Sequence, residues 1–338
     1  MATPTILAIG AYVPPAVLTN DDLSQRLDTS DEWIRTRTGI RQRHVAGADE
    51  TTATLSHAAA QAALEAAGMP ATAVDWILVA TDTAEMWSPA TACFVQALLG
   101  AERASAIDLT GGCAGFLQAL TLAEGLVARG HTVLLIGTEV LTKAVDWSDR
   151  STAVLFGDGS GALLMAPDGA GIYPRTAFSQ SDGRQADILN KPYGGTRHPL
   201  TPELVAGGHH HTIHMEGRKV FRHAVHHMSE AARQVLAMAG LEADDIAWVV
   251  PHQANQRILD AVARELAIPP AKVFSHVAYY ANTGSASVVL ALADMLAQNL
   301  IRPGDRLLSV AFGSGFSWAA QLLEVGSLPP ARFLNRDR

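Results

Sequence analysis

Ala104-Ser-Ala-Ile-Asp-Leu-Thr-Gly-Gly-Cys-Ala-Gly-Phe-Leu-Gln-Ala-Leu120 is the stretch on which the fold class turns. Ala104–Leu109 reads as a strand, Thr110-Gly-Gly112 as a turn, and Cys113–Ala128 as a helix stopped at Gly130. The same unit recurs on both sides. Trp76–Thr81 and Thr132–Gly137 read as buried strands. Residues 51–67 and Pro89–Leu99 read as helices, the second with its proline in the first turn. Strands alternating with helices predict an α/β protein. The second half repeats the order: helix Glu216–Ala239, strand Ile246–Pro251, helix Gln256–Leu266, strand Val273–His276, helix Ser285–Gln298, then strands Arg306–Ala311 and Ser317–Val325. Gly111-Gly-Cys-Ala-Gly-Phe-Leu-Gln-Ala-Leu120 aligns with Thr283-Gly-Ser-Ala-Ser-Val-Val-Leu-Ala-Leu292, and Asp75-Trp-Ile-Leu-Val with the neighbourhood of Asp245-Ile-Ala-Trp-Val. An offset of roughly 170 residues is what two copies of one unit produce. The expected halves are 1–170 and 215–330. The polar, weakly periodic 171–214 between them reads as connecting loops.

Composition sets the outer limits. The chain has 338 residues, of which 48% are hydrophobic and 17% charged, so it can bury a large core and is not a disordered or fibrous chain. Its net charge of −8 argues against a general nucleic-acid binder. Cys93 and Cys113 are too few for a disulfide framework and suit a reducing compartment. The N-terminus lacks the basic region of a secretory signal, and no apolar run reaches the length of a membrane span. The expected location is the cytoplasm, with no membrane and no nucleic acid as partner.

Three residues stand at strand-to-helix junctions. Cys113 opens a helix, where free N–H groups and about half a positive charge favour a thiolate; the alternative is a buried structural cysteine, the reading given to Cys93. His252, in Pro251-His-Gln-Ala-Asn255, follows an apolar strand; it could also be a surface loop histidine. Asn282 occupies the second-half position near that of Cys113, and could equally be an N-cap. Other features read more plainly. Gly157-Asp-Gly-Ser-Gly161 lacks the helix that a dinucleotide loop requires, and reads as a tight connection between strands. His209-His-His211, His214, His223, His226 and His227 are rich in imidazole, but no acidic or thiol partner completes a known ligand spacing, so no metal site is expected.

Taken in order, Thr29-Ser-Asp-Glu-Trp-Ile34, Arg37-Thr-Gly-Ile-Arg41, Cys113-Ala-Gly-Phe116, Asp149-Arg150, Phe156-Gly-Asp-Gly159, Pro251-His-Gln-Ala-Asn255, Asn282-Thr283 and Phe312-Gly-Ser-Gly-Phe316 resemble β-ketoacyl-acyl-carrier-protein synthase III, a thiolase-fold condensing enzyme. The match covers essentially the whole chain. The resemblance implies a five-layer αβαβα fold, a homodimer, and a catalytic triad at Cys113, His252 and Asn282. It implies decarboxylative condensation of an acyl-CoA primer with malonyl-acyl-carrier protein through an acyl-Cys113, with no cofactor beyond the CoA thioester substrate. It further places oxyanion-binding backbone at Cys113 and Ser314, CoA contacts at Trp33, Arg37 and Arg150, carrier-protein docking at Arg257 and Arg264, and acyl-pocket residues at Trp87 and Ser88.

The sequence departs from the family pattern in two places. Ser314 stands where the family usually has glycine. Thr81-Asp-Thr-Ala-Glu-Met-Trp-Ser-Pro89 carries Ser88 where a large residue, often Phe, closes the partner's acyl pocket. Glu85 in that segment offers a second reading, since related enzymes use a glutamate there as base in non-decarboxylative condensation. A third reading, of another class, is a non-catalytic scaffold that only binds the carrier protein.

Overall fold

The computed structural model describes residues 2–208 and 210–336. Ten strands form one sheet. Nine of them run in the order Ser105–Leu109, Trp76–Ala80, Val133–Val140, Asp158–Pro167, Pro4–Tyr12, Ile172–Ser181, Ser317–Val325, Arg306–Gly313 and Trp248–Pro251. The order is symmetric about its middle. Pro4–Tyr12 and Ile172–Ser181 meet only at Ile6 and Ile172, and beyond that point the C-terminal strand Ala331–Leu334 lies parallel to Ile9–Tyr12. The missing counterpart of Ser105–Leu109 is reduced to a single bridge, Val249 to Val273. The Val273–His276 strand expected from sequence is therefore only a remnant.

Helices complete five layers, αβαβα. Thr52–Ala67 and Thr91–Leu99 cover one outer face over a core of Ala59, Ala63, Ile77, Val79, Val95, Leu134 and Ile136. Gly217–Ala239 and Gln256–Glu265 cover the opposite face over Met228, Val235, Val262, Leu308 and Leu322. Between the sheet halves, Gly115–Val127 and Ser287–Ala297 are packed into the largest core. Ser287–Ala297 is buried from Ser287 to Met295, as a helix with sheet on both sides must be, whereas Gly115–Val127 buries one side and leaves Thr121 and Leu122 exposed. Two glycines let this layer close. A Cβ on Gly161 would lie 2.3 Å from Val289 Cγ1, and one on Gly137 would lie 2.6 Å from the Ser285 carbonyl oxygen.

That packing corrects the reading of Gly157–Gly161. It is not a turn: Asp158–Pro167 is one strand, and its glycines make room for Ser287–Ala297. Residues 172–181, expected as loop, form a ten-residue strand. Most of its second edge is unpaired, so its sequence is polar and carries no apolar run. Pro89 lies outside its helix, which begins at Thr91 where the Asp108 carboxylate accepts from Thr91 N (2.6 Å) and Ala92 N (2.8 Å). No described helix is long and apolar enough to cross a membrane.

Candidate active site

Cys113 sits on the one-turn 3₁₀ segment Gly112–Ala114 that leads into Gly115–Val127. Gly112 has φ +62°, and its Cα faces Ser314: a Cβ there would lie 2.5 Å from Ser314 N. The helix start does not lower the Cys113 thiol, as the sequence suggested. Burial pushes it well above its ordinary value, and the nearby Asp82 and Glu139 carboxyls push the same way, while a backbone hydrogen bond opposes them. Cys113 is thus a thiol at rest, and its proton must leave as the sulfur attacks.

His252 ends the strand Trp248–Pro251 and is buried. Burial drops its pKa to about 4, so the ring is neutral at ordinary pH. Its Nδ1 lies 2.7 Å from Ser287 Oγ, which also accepts from Gln253 N at 3.3 Å. If the hydroxyl accepted both contacts, its own proton would have no acceptor among the described contacts. Donation to Nδ1 satisfies all three groups, and so assigns the proton to Nε2. Asn282 is held by an isolated bridge to Phe156, its N–H donating to the Leu155 carbonyl and its carbonyl accepting from Gly157 N, each at 3.0 Å. Its side-chain oxygen accepts from Gly284 N at 2.9 Å, which leaves the Nδ2 donors for the cavity. Both polar tips are therefore hydrogen-bond donors.

Cys113, His252, Asn282 and Ser314 line one cavity of about 1180 Å3. Sequence reasoning missed several of its walls: Asp82, Glu139, Lys191, Arg218 and Arg222. Arg218 and Arg222 were detectable as two cations four residues apart on the long helix. Glu139 is buried, accepts from Asp82 N, Thr83 Oγ1 and Ser285 Oγ (3.1, 2.8 and 2.9 Å), and has its pKa raised to about 7 by burial and by Asp82.

The cavity wall includes Arg37, Arg218, Arg222 and Arg257, a cationic group on an acidic chain. Arg257 lies 5.7 Å over the Phe221 ring; Arg264 is exposed seven residues further along the same helix and is not part of the wall. The Arg150 guanidinium stands 4.8 Å from the Trp33 ring centroid. A base sandwiched between them needs about 7 Å, two stacking distances. Here the two side chains close on each other, and Arg150 is held by the Asp28 carbonyl at 2.6 Å.

Other sequence candidates fall elsewhere. Glu85 accepts from Ala53 N at 2.9 Å and caps Thr52–Ala67; it is not part of the cavity wall. Trp87 is 77% exposed and Ser88 is exposed, both outside this chain's own cavity. Cys93 is exposed, not buried as expected, with its Sγ 4.0 Å from the Ala106 carbonyl on the edge strand Ser105–Leu109. His209 lies outside the described residues. His227 stacks on Trp318 at 3.9 Å, and Glu230 supplies the acidic neighbour not found in the sequence: His226, His227 and Glu230 bring donor atoms within 4.8 Å of one another.

The fold and this site define a thiolase-fold condensing enzyme, and comparison with known proteins narrows the class. Residues 107–183 match the family model for 3-oxoacyl-[acyl-carrier-protein] synthase III, and residues 236–325 match the model for its C-terminal part. A β-ketoacyl-[acyl-carrier-protein] synthase III of Roseiflexus sp. (strain RS-1) is 45% identical over 316 residues, 93% of this chain and 96% of the relative. The solved structure of the Pseudomonas aeruginosa PAO1 synthase III is similar with a TM-score of 0.89 and 38% identity, over 97% of this chain and 100% of that one. The priming β-ketosynthase of the R1128 polyketide pathway gives a TM-score of 0.87 and 35% identity, over 97% of each chain. The chain belongs to the β-ketoacyl-acyl-carrier-protein synthase III family of acyltransferases.

Proposed function

We propose that this chain joins the acyl group of an acyl-CoA to malonyl-acyl-carrier protein with loss of CO2, through an acyl-Cys113. Cys113 sulfur attacks the thioester carbonyl, the bond to the CoA sulfur breaks, and the cysteine proton leaves on CoA. The tetrahedral oxyanion is held by the Cys113 and Ser314 N–H groups. Malonyl-carrier protein then enters, and its carbon–carboxylate bond breaks. The electron pair becomes an enolate whose oxygen takes hydrogen bonds from His252 Nε2–H and Asn282 Nδ2. The enolate carbon bonds to the acyl carbon and Cys113 leaves as thiolate, to be reprotonated. No step requires a metal or cofactor. The observation that carries this reading is one thiol and two oriented neutral donors on one cavity wall.

Arg37, Arg218, Arg222 and Arg257 suit the phosphates of CoA and of the carrier's prosthetic arm, with Trp33 and Arg150 opening to admit adenine. Arg257 and Arg264 offer charge to an acidic carrier protein. The working unit is a homodimer in the cytoplasm. Ser105–Leu109 ends the sheet with an open edge, Ile107 on it is exposed, and so are Met86 and Trp87; such an edge and such a tryptophan call for a cover. Trp87 and Ser88 then face the partner's acyl pocket. The test is intact-mass acylation across acyl-CoAs of increasing length, followed by CO2 release from malonyl-carrier protein. Acylation without CO2 release would favour non-decarboxylative condensation, which the capping role of Glu85 disfavours.

A further inference from the structure

Two loops meet behind the nucleophile without a backbone hydrogen bond between them among the described residues. One is Gly111–Ala114, the other Gly313–Gly315. They touch backbone to backbone: a Cβ on Gly112 would lie 2.5 Å from Ser314 N, and one on Gly313 would lie 2.3 Å from Cys113 N. What links them is one carboxyl group. Asp82 Oδ1 accepts from Gly112 N at 3.3 Å, and Asp82 Oδ2 bonds Ser314 Oγ at 3.2 Å. The backbone of Asp82 is itself fixed, its N–H on Glu139 at 3.1 Å and its carbonyl under the Lys191 ammonium. Asp82 and Ser314 are also members of the two places where the sequence departs from the family pattern.

We propose that Asp82, with Ser314 as its partner, is a positioning residue of the oxyanion hole, fixing the spacing of the Cys113 and Ser314 N–H groups by bridging their loops. This rests on the reading above that these two N–H groups receive the thioester oxygen. Both loops donate to the one carboxyl group, Gly112 N–H to Oδ1 and Ser314 Oγ–H to Oδ2. The ionisable groups facing Asp82 are Glu139, Cys113 and Lys191; burial raises the Asp82 pKa, and Lys191 opposes the rise.

An asparagine keeps the bridge, its oxygen on Gly112 N and its NH2 on Ser314 Oγ; an alanine removes it. The experiment measures single-turnover acylation of Cys113 and steady-state condensation for Asp82→Ala, Asp82→Asn, Ser314→Gly and the double variant Asp82→Ala/Ser314→Gly, with thermal unfolding as a check on folding. Asp82→Ala should lower the maximal rate of both half-reactions by about tenfold or more, with KM for acyl-CoA little changed, as small displacements of transition-state donors do. Asp82→Asn should recover most of that loss. The double variant should be no slower than Asp82→Ala, because both break one bridge. Wild-type rates in a folded Asp82→Ala, an Asp82→Asn as slow as Asp82→Ala, or additive losses in the double variant would each overturn the proposal. If wild-type protein forms no acyl-Cys113 at all, the functional reading fails instead, and the two failures are distinct.

Discussion

Ser287 Oγ lies 2.7 Å from His252 Nδ1 and receives the Gln253 N–H at 3.3 Å, so a single hydroxyl fixes which ring nitrogen of His252 faces the cavity with a proton. Ser287 also opens the central helix Ser287–Ala297, which ties the His252 tautomer to the rigid middle layer. Ser287→Ala should therefore slow malonyl decarboxylation by about tenfold, less than loss of the donor itself, while acyl-Cys113 still forms. Ser287→Thr, which keeps a hydroxyl, should recover part of the rate. Equal slowing of both half-reactions in Ser287→Ala would mean that the hydroxyl does not act through the enolate donor.

Cys113→Ala should abolish covalent acylation and condensation, and Cys93→Ala should leave both near wild type. The contrast rests on position: Cys113 lines the cavity, while Cys93 is exposed on Thr91–Leu99 and lies outside the cavity wall. Intact-mass analysis after mixing with acyl-CoA decides it. An acylated Cys113→Ala protein would overturn the mechanism.

The repeat of strands and helices, and the three junction residues, were legible in the sequence because each depends on local pattern. Cys113 and His252 follow a strand and precede a helix, which periodicity reveals; Asn282 precedes a helix but follows the short helix Val277–Tyr280, its expected strand being only a remnant. Asp82 and Glu139 were not legible, since nothing local distinguishes a carboxylate aimed into a cavity from one in solvent. The strand Ile172–Ser181 was hidden because an edge open to solvent needs no apolar run. Gly157–Gly161 misled for the opposite reason. Gly159 and Gly161 answer to Leu290 and Val289 on a helix more than a hundred residues away in the chain, not to a local turn.

His252→Ala and Asn282→Ala should still accept an acyl group but lose decarboxylation by on the order of 10²–10³, the usual cost of one oxyanion donor. The pH dependence adds a second check. Because burial lowers His252 to about 4, the imidazole stays neutral through the ordinary histidine range. Decarboxylation by preformed acyl-enzyme should then show no acid limb near pH 6.5. The stability sign agrees: a depressed folded pKa favours the fold above the unfolded value, and the advantage is lost as pH falls toward about 4. Glu139, raised to about 7, acts in the opposite sense, favouring the fold at low pH and losing that advantage as pH rises through its folded value. An acid limb at 6.5 that disappears in His252→Ala would contradict the neutral ring.

In the proposed homodimer, Met86–Ser88 at the end of the expected Asp82–Ser88 segment should set primer length in the partner's pocket, while Asp82 stays in this chain's own cavity wall. Met86, Trp87 and Ser88 are exposed in the single chain and lie outside its own cavity, which is the arrangement of residues that serve a partner. If Ser88 faces the partner's pocket, as proposed, it leaves space where a large side chain would close the distal end. Ser88→Phe should shift preference toward acetyl-CoA without weakening CoA binding at the proposed Trp33 and Arg150 contacts. The shift should be graded, because one methylene in an apolar pocket is worth only about 1–3 kcal/mol. Comparing kcat/KM for acyl-CoAs of increasing length in wild type and Ser88→Phe reads it directly. A wild type that already accepts only acetyl-CoA, or a profile unchanged by Ser88→Phe, would show that Ser88 does not face the pocket. Trp87→Ala then becomes the informative variant: if Trp87 fills that space instead, its removal should extend acceptance to longer primers.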